Sequence, residues 1–205
     1  VAETSAGKHI SIDGKTLRRS FDTASGRAAI HMVSAWVHEN HACFGQIKVD
    51  EKSNEITAIP KLLDMLCLKG ATVTIDAIGC QREISQRITG KGGDYGICLK
   101  GNQRELHEDV KLFLDDAIEH GAKDLDTYQT LDKGHGRIER RKTWATTDTE
   151  WLKTRHEWPG LASIAAVEAR VKEKGGKTTE RRYFIGSFDR QCAQRFGVLA
   201  RNHWS

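Results

Sequence analysis

The hydrophobic period of this chain switches along its length, and that switching restricts its fold more than any single motif does. Residues 8 to 51 read as three stretches of strand-like alternation, KHISIDG, AAIHMVSAWVHE and HACFGQIKVDE, joined by short polar turns. Such a pattern predicts a meander. EITAIPKLLDMLCLKG (55–70) then sets Ile59, Leu62, Leu63 and Leu66 at helical spacing, with Pro60 tolerable near the start and Gly70 as a stop. A strand over 71–76, a short helix in CQREISQRITGKGG with Ile84 and Ile88 on one face, and a strand DYGICLKG at 94–101 follow. QRELHEDVKLFLDDAIEHG (103–121) is the clearest helix, its stripe of Leu106, Val110, Phe113, Leu114 and Ala117 closed by Gly121. From 125 to 187 the pattern is strand-like again, with a hairpin at Gly175-Gly176, and from Asp189 it returns to helix.

The order is therefore β-β-β-α-β-α-β-α, then a β-rich block, then a helix. Strands alternating with helices imply a parallel portion of sheet. Three antiparallel strands followed by α/β units is the order of a ribonuclease H-like α/β fold. The expected architecture is a mixed sheet over about 8–121, completed by a C-terminal helix over 189–205, with a β-rich insertion over about 122–188. A chain of 205 residues suits one domain.

With 38% hydrophobic and 29% charged residues the composition is that of a globular protein. No run reaches the ~20 apolar residues of a membrane span, and VAETSAGKHI has no signal-like apolar stretch, so a cytoplasmic location without membrane contact is expected. The five cysteines are odd in number and widely spaced, as reduced core thiols would be. A net charge of +4 permits a polyanionic partner without requiring one. Its local clusters are KTLRR (15–19), GRIERRK (136–142) and ARVKEKGGKTTERR (169–182), although solvated strand faces look much the same. Both ends look cut: the chain opens on Val1 and stops at FGVLARNHWS within a helical pattern, which suggests a fragment.

Two stretches repeat one arrangement. HISIDGKTLRRS and ATVTIDAIGCQRE each run from an alternating strand through Ile and Asp into a glycine-containing turn, at Asp13 and at Asp76. Either Asp alone suits a turn. In the expected topology, however, strands 1 and 4 are neighbours and bring the two carboxylates together. Close carboxylates repel and, unless they share a proton, call for a cation between them. Mg²⁺, with Mn²⁺ as its substitute, takes such oxygen ligands together with substrate phosphates, and paired ions serve in-line phosphoryl chemistry.

Other motifs carry less. DGKT is no P-loop, because His9 stands where the pattern needs its first glycine. HENHAC offers His38, His41 and Cys43 but no second pair of zinc ligands. No cysteine is marked out as a nucleophile. Lys100, Asn102 and Gln103 lie just past strand 5, at the rim where open α/β sheets bind ligands, and suit a DNA phosphate or a plain loop with a helix cap. Lys15 and Arg18 are further candidates for DNA contact. GHGRIERR places His135, Arg137, Glu139 and Arg141 on one strand face, the arginines for phosphates and Glu139 as a cross-strand partner.

IDGKTLRRS, AIHMVSAWVHEN, GQIKVDEKSNEITAIPKLLDML, TIDAIGCQREI, GGDYGICLKGNQRELHEDV and GHGRIERR carry a resemblance that runs from about residue 8 to the last. The chain resembles the bacterial insertion-sequence DDE transposases of the H-repeat-associated type. The resemblance implies a ribonuclease H-like fold with a β-rich insertion, and three acids that bind divalent metal for cutting element ends and joining them to target DNA. It also implies a homodimer in the synaptic complex. The first acid falls on Asp13 and the second on Asp76. The family's HW-x-I-E-N pattern meets HWS at 203–205, which places the third acid two positions beyond Ser205, with Glu139 and Glu168 as fallbacks. The expectation is thus a transposase core truncated at both ends and inactive or feeble. The alternatives are a non-catalytic DNA-binding relic of a decayed element, or a ribonuclease H-like nuclease without strand transfer.

Overall fold

Alternation in the first forty-odd residues does become a meander. The computed structural model describes residues 7–16, 30–49, 55–134 and 136–204, and the chain divides into two compact units, Val1–Tyr95 and Gly96–Ser205.

In the first unit β1 (His9–Thr16), β2 (His31–Val37) and β3 (Ala42–Lys48) pair antiparallel, and β4 (Thr72–Ile75) pairs parallel with β1. The result is a mixed sheet in the order β3-β2-β1-β4. Ile10, Ile12, Val33, Ala35 and Val37 are buried on one face of it. The period-2 pattern puts them there. Helix α1 (Glu55–Met65) covers that face with Ile59, Leu62 and Leu63, and a Cβ on Gly45 would lie 3.0 Å from Leu62 Cδ1. A helix between β3 and β4 lets β4 return parallel to β1. The helix ends at Met65 rather than running to Gly70, because Leu66 and Leu68 are buried in the turn that follows and Gly70 adopts φ +73. A 3₁₀ turn (Ala77–Gly79) and α2 (Arg82–Gly90), which buries Ile84 and Ile88, complete the unit.

The second unit holds an antiparallel sheet in the order β5-β9-β8-β7-β6, from β5 (Asp94–Leu99), β6 (Asp126–Gly134), β7 (Arg137–Thr146), β8 (Ser163–Glu173) and β9 (Gly176–Gly186). Successive β9 side chains meet different helices. Phe184 packs on Phe196 of α5 (Cys192–Trp204), while Tyr183 donates to Asp115 of α3 (Arg104–Glu119) at 2.7 Å. Phe188, Val167, Cys192 and Ala200 fill the core around Phe184 and Phe196.

One helix departs from the strand pattern expected over 125–187. EWLKTRH forms α4 (Glu150–His156), docked on α3 through a 2.7 Å bond between His156 Nε2 and Asp109 and through Trp151 against Phe113. Seven residues are too few to show a helical period, so tertiary packing decides their state. Of the free cysteines Cys80, Cys98 and Cys192 are buried as expected, whereas Cys43 and Cys67 are exposed. Among the described residues no helix is long and apolar enough to cross a membrane.

Helix α5 approaches the sheet closely because Gly197 has no side chain: a Cβ there would lie 2.8 Å from Tyr128 Cδ1 and 3.0 Å from Thr143 Oγ1. Gly197→Ala should therefore cost about 1–3 kcal/mol in urea unfolding. An unchanged midpoint would contradict this close approach.

Candidate functional site

Parallel pairing of β1 with β4 runs in the register His9↔Thr72 to Ile12↔Ile75. The next residue on β1 is Asp13 and the first residue past β4 is Asp76, and neighbouring strands lie ~4.8 Å apart. Asp76 Oδ1 accepts from the Ala77 amide at 2.7 Å, so its carboxylate also caps the 3₁₀ turn. Burial pushes the Asp13 carboxyl above its ordinary value, and the charges of Glu55 and Asp76 push it the same way. A hydrogen bond from the Gly14 backbone and the charge of Lys15 oppose them.

Glu55 is the residue that sequence reasoning missed. It opens α1, where an acid reads as a routine complement to the helix dipole. Its Oε1 accepts from His31 Nε2 at 2.6 Å, and His31 Nδ1 lies 2.9 Å from the Thr16 hydroxyl. A Cβ on Gly14 would collide with the Glu55 carboxylate. Only the spacing of an acid to the glycine after Asp13 could have signalled this contact, and no sequence period relates them.

A second polar group was also missed. His9 and His38 stack with centroids 4.3 Å apart, His38 Nε2 lies 2.7 Å from the Ser11 hydroxyl, and His9 Nε2 lies 2.7 Å from the Thr74 hydroxyl. HENHAC forms the turn between β2 and β3 as expected, and its first histidine, half-buried, joins this cluster from the turn.

Of the remaining candidates, Lys15 is exposed at the end of β1, while Arg18, like His135 and Ser205, lies outside the described residues. Lys100, Asn102 and Gln103 belong to the second unit. Lys100 and Asn102 are exposed there, and the Gln103 amide donates to the Lys100 carbonyl at 3.1 Å across a 3₁₀ turn. Glu139 accepts from Arg137 at 2.5 Å and from Arg141 at 2.6 Å. Arg137 is 51% exposed and Arg141 only 10%, because β7 turns this face toward α5 and leaves its end open. Glu168 lies between Arg170 at 2.7 Å and Arg181 at 2.6 Å. Burial raises its carboxyl, but the Arg181 and Arg170 hydrogen bonds outweigh this and hold it below the usual range. Both fallback acids are thus neutralised by arginines within the second unit.

The family model of the transposase DDE domain matches residues 4–205. The chain belongs to the DDE transposases. YhhI of Escherichia coli K12, named among the H repeat-associated transposases, is 41% identical to it over 204 residues, covering 95% of this chain and 52% of that protein. A protein of the dhlA 3′ region of Xanthobacter autotrophicus is 44% identical over 178 residues, covering 87% of this chain and 59% of its own length. The chain therefore spans little more than half of these curated relatives. The solved structure of Streptomyces venezuelae DesVI aligns at TM-score 0.27 and 12% identity over 63% of this chain and 49% of its own, too little to bear on the fold.

In this DDE transposase chain Asp13 is held in a field that disfavours its charge, which carries a consequence for stability. Its folded value lies above the unfolded one, so the penalty is absent at pH below ~3.9 and complete once the pH exceeds the folded value. Asp13→Asn should raise Tm at pH 7 in EDTA, and the gain should vanish as the pH falls below ~4. A lowered Tm at pH 7 would show instead that the charged Asp13 stabilises the fold.

Proposed function

We propose that this chain is the catalytic core of an H-repeat-associated insertion-sequence transposase, which hydrolyses a phosphodiester at the element end and joins the freed 3′ hydroxyl to target DNA. One observation carries the reading: Asp13, within β1, and Asp76, just past the end of β4, each follow the last pair of the parallel register, Ile12↔Ile75. The mixed sheet with helices between its strands supports a ribonuclease H-like core over about 8–121 with 189–205, and the antiparallel β6–β9 strands support a β-rich insertion over about 122–188.

The donor set fits the metal that this family implies. Paired carboxylates offer oxygen ligands alone, which suits Mg²⁺, with Mn²⁺ as substitute, better than a softer ion. Asp13 and Asp76 would hold it, and when bound it supplies in-line activation of the attacking and leaving oxygens. The protein's own groups do the rest. The Ala77 amide pins Asp76, and Lys15 places a cation beside Asp13. Lys100, Asn102, Gln103 and the exposed Arg137 contact phosphates, while Arg141 acts on Arg137 through Glu139. Arg18 remains a phosphate contact by sequence. The active assembly is a homodimer on two element ends, and a DNA partner places it in the cytoplasm.

In a transposase carrying this domain, Asp13→Asn and Asp76→Asn should each reduce Mg²⁺-dependent nicking of element-end DNA to background while duplex binding persists. Nicking that survives in either variant would refute the reading. Binding itself should weaken steeply with salt, and Arg137→Ala should reduce the slope of log K against log salt by ~1.

A further inference from the structure

The sheet of the second unit treats charge differently on its two faces. On the face toward α5, Arg137 and Arg141 close on Glu139 of their own strand, and Arg182 closes on Glu180 of its own. Successive residues of a strand point to opposite faces. The residues between these therefore build the other side. There Arg140 of β7 stands opposite Arg170 of β8, and Lys172 of β8 stands opposite Lys177 of β9. Lys142 is the next residue of β7 on the same side, its Nζ 4.7 Å from the centre of the Trp144 ring. Helix α3 docks on this face at Tyr183 and Arg181 through Asp115. Beyond that contact Arg140, Lys142, Arg170, Lys172 and Lys177 are all exposed.

An ordinary solvated strand surface intersperses both signs of charge. Like charges directly opposite on an antiparallel pair destabilise it, and this face holds two such oppositions. Among the described residues of β6 to β9, Glu168 is the one acid at a position of this face, and Arg170 and Arg181 hold it. The glutamates on the α5 side show that these same strands supply counter-charges elsewhere. Two apolar side chains are exposed among the cations: Leu131, 50% exposed, is the register partner of Arg140, and Ile138, 41% exposed, is that of Lys172.

The size of the array selects its partner. From Lys142 to the level of Lys172 the face runs ~14 Å along the strands, and from β7 to β9 it runs ~10 Å across them. A single phosphate or carboxylate is too small to meet cations spread over that area. Duplex DNA carries a charge every ~1.7 Å of its axis, and its deoxyribose carbons suit Leu131 and Ile138. We propose that the face of β7, β8 and β9 turned away from α5 is a second DNA interface, which holds the duplex by its phosphates whatever the base sequence, through Arg140, Lys142, Lys172 and Lys177. The inference rests on the reading of this chain as part of a DNA transposase. It adds a surface to the contact at Arg137, which lies on the opposite face of β7.

Fluorescence anisotropy of a labelled duplex of arbitrary sequence, titrated with this chain in EDTA at a series of KCl concentrations, tests it without cleavage. The triple variant Arg140→Gln/Lys172→Gln/Lys177→Gln should lower the slope of log K against log salt by ~3 and weaken binding at least about tenfold at ~0.1 M KCl. It should also melt no lower than the wild type, since it removes both like-charge oppositions. Taking the same charge from elsewhere, in Lys61→Gln/Lys111→Gln/Lys123→Gln, should leave the slope unchanged. If the triple variant unfolds, Lys172→Gln and Lys177→Gln decide singly, each lowering the slope by ~1. An unchanged slope in folded variants of this face, with the wild type binding and Arg137→Ala impaired, would overturn this inference alone. The same unchanged slope with loss of a dimer in sedimentation would give the face to a second copy of the chain, and overturn it too. No duplex binding by the unaltered chain would overturn the DNA contacts of the transposase reading and this inference with them.

Discussion

Parallel pairing of β1 with β4 is the constraint on which the rest depends. A strand pair of this kind cannot be closed by a tight turn, so the chain must leave β3, cross the sheet as α1 and return. That crossing buries Ile59, Leu62 and Leu63 on the apolar face of the meander. It also delivers Asp76 to the strand end beside Asp13, and it brings the first residue of α1 onto Gly14. Packing and placement of the acids are therefore one event. A register slip by a single residue would exchange the faces of Ile12 and Asp13, exposing the one and burying the other.

Charge is managed differently in the two units. In the second, acids and arginines close on each other: Glu168 with Arg170 and Arg181, Arg181 onward to Asp115, Glu139 with Arg137 and Arg141. These pairs sit on strands whose neighbours alternate between two helix-facing sides, and breaking any one would strand a partly buried charge. In the first unit Asp13 is raised instead, first by burial and then by the charges of Glu55 and Asp76.

Much of this was readable in the residues. Period-2 alternation located β1 to β3, helical stripes located α1 and α3, and the repeated Ile-Asp-turn arrangement pointed to Asp13 and Asp76 through the strand order alone. What was not readable depends on contacts with no sequence period. EWLKTRH becomes helical by docking on Asp109 and Phe113, and Glu55 lies against β1 only because Gly14 leaves room. Arg141 alternates with its neighbours as expected, yet alternation does not say which face α5 will cover. His38 likewise joins His9 and Ser11 across strands that the turn-like HENHAC conceals.

The family is settled by the match over residues 4–205, and what remains to be established is that this arrangement of acids holds the ion on which DDE chemistry relies. Anomalous diffraction from crystals of this chain soaked in Mn²⁺ addresses it directly. The account predicts a peak within ~2.0–2.6 Å of carboxylate oxygens of both Asp13 and Asp76, absent from Asp76→Asn crystals soaked alike. A soaked crystal with no peak between these two strand ends, or one whose peak persists in Asp76→Asn, would contradict it.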